Sequence, residues 1–272
     1  MEDNNFIRPP YVAGQFYPGQ KEPLIKLLDK LIEHDISKEK IMGIVSPHAG
    51  YIYSGPVAGA GFSKVIIPEK IVLIGPNHSG LGKSFSLMPE GKWITPLGEV
   101  SVDKEITSHI LETSRYLERD YLAHKYEHSL EVQIPFIQYL KKDFSIIPII
   151  ISEAPLSLYQ DLGKELAQIL KPWQKNILIV ASSDMTHYES RKVAEQKDKL
   201  AIDAIISLDE DLLYEQVNKY NISMCGYAPC IVMLATLKNW GAKSASLIKY
   251  QTSGDVSGEY TSVVGYASII VK

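Results

Sequence analysis

Five short runs in this chain, Ile41 to Val45, Ile71 to Ile74, Ile146 to Ile151, Ile177 to Ala181 and Val263 to Val271, are nearly all apolar and rich in β-branched residues. They do not alternate apolar with polar residues, as a strand with one wet face does. Runs of this length, bounded by turn residues, are strands buried on both faces, the pattern of a mainly parallel sheet. Between them apolar residues recur at helical spacing, over Gly55 to Val65, Asp103 to Tyr116, Leu130 to Lys141, Leu156 to Leu170, Glu189 to Ile206 and Pro229 to Trp240. This alternation predicts an α/β fold: a single domain over residues 1–272, with a mainly parallel central sheet and helices on both faces.

Smaller features fit around that frame. Leu24, Leu27, Leu28 and Leu31 mark a helix over Glu22 to His34, which puts His34 in the last turn against the negative end of the helix dipole. Pro135 means that the Leu130 to Lys141 helix is kinked or starts late, and Ser129 is placed to cap it. Trp93 to Thr95 and Val100 to Val102, around Pro96 to Glu99, read as a hairpin. Arg8 to Gly19 carries three prolines and three aromatics without a period, so residues 1–20 read as an extended arm laid over the body.

Composition narrows the function. With 28 Lys+Arg against 32 Asp+Glu, the formal charge of -4 argues against a phosphate-tracking surface and hence against nucleic acid as a partner. Two cysteines cannot build a disulfide framework, and no apolar run approaches the roughly 20 residues of a membrane span. The opening Met1 to Asn5 is polar and acidic, unlike a signal peptide. A cytoplasmic protein with no membrane partner is expected.

Three of the apolar runs lead into a histidine: Ser46-Pro47-His48, Gly75-Pro76-Asn77-His78 and Ser182-Ser183-Asp184-Met185-Thr186-His187. Ligands of open α/β sheets collect beyond the carboxyl ends of parallel strands, so these imidazoles are candidates for one crevice and, as neutral rings, for a metal. His34, His109 and His124 stand among charged neighbours and read as solvated. His128 and Glu131 form an H-x-x-E spacing able to hold a metal on one helical face, although a role at a helix start inside the crevice fits a single copy better. Cys230 reads as a packing residue on the Leu234 and Leu237 side of its helix. Cys225 falls just before that helix, where the dipole favours a thiolate able to bind metal. Ser182 or Ser183 with His187 as a nucleophile and base is a weaker idea, because no oxyanion site is visible. No phosphate-binding loop or dinucleotide fingerprint is present, and the glycines of Gly55 to Gly61 serve close helix packing instead.

The motifs AGQFYPG (Ala13 to Gly19), PHAGYIYSG (Pro47 to Gly55), GPNHSG (Gly75 to Gly80), TPLG (Thr95 to Gly98), EHSLEVQIPF (Glu127 to Phe136), SSDMTHY (Ser182 to Tyr188) and Cys225-Gly226 resemble the Memo family in order and spacing over nearly the whole chain. That family is similar in fold to the type III extradiol ring-cleaving dioxygenases, whose non-haem iron is held by two His and a Glu. The resemblance implies His48, His78 and Cys225 as metal ligands, with cysteine in place of the carboxylate. It implies His187 as acid/base with Asp184 beside it, and leaves His128 a further catalytic candidate. Iron(II) is the expected metal, with copper or zinc as alternatives, since a thiolate softens the site. The activity implied is that of a metal-dependent, dioxygenase-like oxidoreductase. A peptide or small-ligand adaptor and a zinc-assisted hydrolase are the rival readings. Microbial members resemble one component of a set that includes an AMMECR1-like protein and a radical-SAM protein, which are therefore expected partners beside a small molecule or peptide in the crevice. Ala228-Pro229-Cys230 departs from the His-Pro pair of eukaryotic members.

Overall fold

The computed structural model describes residues 6–272; Met1 to Asn5, read above as lacking a signal peptide, lie outside the described residues. The strands are β1 (Ile7–Arg8), β2 (Gly43–Ser46), β3 (Lys70–Pro76), β4 (Phe85–Leu87), β5 (Lys92–Thr95), β6 (Gly98–Val102), β7 (Glu118–Arg119), β8 (Ser145–Ile151), β9 (Ile177–Ser182), β10 (His187–Glu189), β11 (Ala245–Thr252) and β12 (Val263–Val271). The helices are α1 (Lys21–Leu31), α2 (Tyr51–Ser63), α3 (Lys104–Thr113), α4 (Leu122–Lys125), α5 (Ile134–Leu140), α6 (Leu156–Ile169), α7 (Arg191–Ile206), α8 (Glu210–Lys219), α9 (Tyr227–Asn239) and α10 (Gly254–Ser257). Among the described residues, no helix is long and apolar enough to cross a membrane.

The centre of the sheet runs β6-β8-β3-β9-β2, all parallel, and β12 closes against β2 in the antiparallel sense. Period-two alternation then sends neighbouring residues to opposite cores. Along β3, Ile71 and Leu73 join the core shared with α1, α2 and α5, while Val72 and Ile74 join the core shared with α6, α7 and α9. Both faces are thus covered, which is why these strands read as continuous apolar runs. Two glycines of α2 permit the close packing: a Cβ on Gly59 would lie 2.2 Å from the Leu31 carbonyl oxygen, and one on Gly61 would lie 1.9 Å from Ser268 Oγ.

Several boundaries differ from the expectation for local reasons. A 3-10 turn at Glu131–Gln133 precedes α5, which starts only at Ile134 with Pro135 in its first turn, so Ser129 does not cap it. The first helix stops at Leu31, leaving His34 beyond it, exposed and bonded to the Asp29 carbonyl. Residues His187–Glu189, expected as loop and helix start, form β10 along β12 instead. The hairpin is found, with Thr95 paired to Gly98. The arm pairs β1 with β5 and then turns tightly, with Ala13 bridging Tyr17.

Candidate metal and acid-base site

The carboxyl ends of β2, β3 and β9 lie side by side, with Ser46 opposite Ser182 and Ile74 opposite Ala181. His48 and His78 follow the first two ends directly, and their ring centroids are 5.1 Å apart. The ring of His128 joins them, 4.7 Å from His78 and stacked on it, and 5.4 Å from His48. Taking one ring nitrogen from each, the ligand atoms of these three residues all lie within 4.8 Å of one another. His128, weighted in the sequence toward a helix-start role, is therefore the third imidazole of the crevice.

Hydrogen bonds decide which nitrogens face inward. Ser182 Oγ donates its only proton to the Ser129 carbonyl at 2.7 Å, so its 3.0 Å contact with His48 Nδ1 is a bond that the imidazole donates. Gln133 Nε2 donates to the same Oγ at 2.9 Å. Nδ1 of His78 lies 2.9 Å from the buried Glu127 carboxylate, which also accepts the backbone N–H groups of His78 and Ser129. Both rings therefore carry hydrogen on Nδ1, and Nε2 is the nitrogen left to face the crevice. This is the arrangement that orients metal-binding imidazoles. His128 differs, because its Nδ1 is 3.6 Å from Glu127, beyond hydrogen-bond reach.

Cys225 reaches the same place from the start of α9. Its sulfur lies 3.2 Å from His48 Nε2 and accepts the Asp184 backbone N–H at 3.3 Å. Gly226 makes this approach possible: a Cβ there would stand 2.3 Å from the Ser182 carbonyl oxygen. Cys230 is fully buried within α9, as expected of a packing residue.

The electrostatics follow from burial. Desolvation, aided by the neighbouring imidazoles, pulls His48 well below its ordinary value and keeps it neutral. Burial also lowers His128. Burial acts to lower His78 too, but the hydrogen bond and charge of Glu127 outweigh it, so His78 is raised, and Glu127 is held down at about 2 despite its own burial. For Cys225, burial and the Asp184 carboxyl push the thiol well above its ordinary range, against the effect expected of the helix start. Asp184, buried, is raised to about 6 even though it accepts the backbone N–H groups of His48 and Ala49.

His187 stands at the rim. Its Nδ1 lies 2.9 Å from the Ser223 carbonyl, and its backbone N–H donates to Ser223 Oγ. Ser223, not Asp184, thus orients the ring, because Asp184 is committed beneath the Pro47 to Ala49 turn. The serine nucleophile idea finds no support: Ser182 serves His48, and Ser183 Oγ donates to the Asp184 carbonyl and accepts Gly226 N–H.

One further residue escaped the sequence reading. Arg8 is fully buried; it donates to Glu131 at 2.6 Å and to the carbonyls of His124 and Glu127, with Trp93 under its guanidinium. Glu131 also accepts from Tyr17 Oη and from the Tyr11 and Val12 N–H groups, so it faces the arm and not a metal. His124 is buried, against the solvated expectation; its Nε2 meets Ser86 Oγ at 2.9 Å. His109 is exposed as expected, edge-on to Trp173.

A family model described as Memo-like protein matches residues 8–270. The chain belongs to that family. A MEMO1 family protein of Thermotoga neapolitana is 45% identical over 98% of this chain and 100% of its own length, and one of Ignicoccus hospitalis is 42% identical over 97% and 98%. An uncharacterized protein, JW3007 from Escherichia coli K12, shares the fold at a TM-score of 0.53 and 11% identity, covering 85% of this chain and 100% of that one. Membership places the chain among proteins whose names state a family and no reaction.

Proposed function

We propose that this Memo-like protein is a metal-dependent oxidoreductase of dioxygenase-like chemistry, with His48, His78 and Cys225 as ligands and iron(II) as the preferred metal. One observation carries the reading: the buried His48 and the more exposed His78 each have Nδ1 anchored, by Ser182 and Glu127, so that both Nε2 atoms are left for one crevice. Cys225 is the third ligand because its sulfur sits 3.2 Å from His48 Nε2, a spacing that two donors on one ion adopt. His128 shares the ligand-atom cluster with His48 and His78, but among the described residues no hydrogen bond fixes its tautomer, and it is assigned as a proton carrier.

An iron(II) bound there would supply redox chemistry toward oxygen and open positions for a bidentate substrate. The protein's own work is acid-base and positional. The Ser223 carbonyl holds His187 with Nδ1 protonated, leaving Nε2 to take or give a proton. His128, stacked on His78, is a second imidazole able to carry a proton. Asp184 holds the turn that carries His48 and lends its backbone N–H to the sulfur.

The test is oxygen uptake by anaerobically iron-loaded protein offered catechols and simple thiols. Uptake should depend on metal, and His187→Gln should keep the metal while lowering turnover about 10²- to 10⁴-fold. No metal-dependent uptake with any candidate would leave an adaptor as the better reading.

A further inference from the structure

A cleft of about 610 Å³ opens on the side of the site where His78 and Cys225 are reached from solvent. Tyr159 and Tyr227 line it, their rings 6.2 Å apart, and the Tyr159 hydroxyl is occupied by the Ala154 N–H and the Ser152 carbonyl. These two rings suit an apolar spacer, while Asn77, Asn218 and Asn221 make other parts of the lining polar. The exposed side chain of Glu153 is the one acidic group in the lining, and no lysine or arginine lines the cleft. Lys197 touches the rim by donating to the Asn221 carbonyl, but it is ion-paired with Glu189. The charge of Glu153 reaches inward: beyond the effect of burial, it helps raise both tyrosines.

The residues lining this cleft prefer opposite charges. His78 and Cys225 belong to the proposed metal site beside the amino end of α9, where a bound cation would favour an anionic ligating group. The same lining holds the exposed carboxylate of Glu153, with no cation among the lining residues. We propose that the cleft takes a ligand with an anionic, metal-binding head and a cationic tail, an ammonium held by Glu153. This rests on the metal-site reading given above. The plainer role for Glu153 is local, since an acid two residues before Pro155, the residue that opens α6, supports the helix dipole. That role predicts a small change in stability and none in ligand choice.

The experiment titrates cobalt(II)-loaded protein without oxygen with three probes of one shape: 4-(2-aminoethyl)catechol, 4-ethylcatechol and 3-(3,4-dihydroxyphenyl)propionate. Wild type should bind them in that order, with steps of roughly fivefold at low salt, in the range of a partly exposed ion pair. Glu153→Gln should bring the three to within about twofold, and Glu153→Lys should reverse the order, with thermal melting showing both variants folded. Equal affinities in wild type, or an order that Glu153→Gln leaves intact, would overturn the assignment of Glu153. Failure of all three probes to bind would overturn the metal-site reading and this proposal with it.

Discussion

The bond that His48 Nδ1 donates to Ser182 leaves His48 one inward-facing nitrogen, so Ser182 should matter to metal binding without touching metal. Ser182→Ala should fold and bind metal about 10- to 100-fold more weakly, measured by competition with a chelator. Unchanged affinity would mean that the ring needs no such anchor. The two thiols should separate cleanly. Cys230→Ala removes a buried sulfur and should cost on the order of 1 kcal/mol in denaturant unfolding while leaving metal content unchanged. Loss of metal on Cys230→Ala, with Cys225→Ala harmless, would reverse the assignment. At this scale the sequence showed His48 and His78 because each follows its strand directly. It did not show that His128 stacks on His78, or that Ser223 orients His187, because those contacts join segments 50 and 36 residues apart. The helix start beside Cys225 is visible in sequence, whereas its burial beside Asp184 is not.

Among the elements, the arm is the least expected contributor. Arg8 and Glu131 form a fully buried pair, and their remaining hydrogen bonds tie the arm to the segment that carries Glu127 and His128. Removing one partner leaves a buried charge unmatched, so Arg8→Met or Glu131→Gln should each cost about 3–5 kcal/mol. The double variant should cost clearly less than the sum, as a double-mutant cycle in urea would show; simple additivity would deny the coupling. The central strands were legible because burial on both faces leaves an uninterrupted apolar run. By contrast, β11 was missed: Ser246, Lys249 and Gln251 interrupt its pattern on a strand that pairs with β12 alone. The helix α8 had a readable start, since Asp209 accepts the Leu212 N–H as an N-cap, but its largely polar composition hid it.

For the whole molecule, one buried ring outside the site contributes to acid sensitivity. Burial depresses His124 to about 3, so between roughly pH 6.5 and pH 3 the unfolded chain binds a proton there that the folded chain refuses. This contribution therefore removes stability as pH falls through that window and leaves stability unaffected above it. A His124 ring resonance that titrates near 6.5 in the folded protein would contradict this. The sheet order sets the site: β9 lies between β2 and β3, which brings three strand ends and the start of α9 to one crevice. The most direct test of the proposed metal centre is the absorption spectrum of the protein titrated with cobalt(II). The proposed ligand set predicts a thiolate-to-cobalt charge-transfer band that saturates at one metal per chain, disappears in Cys225→Ser and persists in His128→Gln. A band absent from wild type, or one that survives Cys225→Ser, would contradict the assignment of His48, His78 and Cys225.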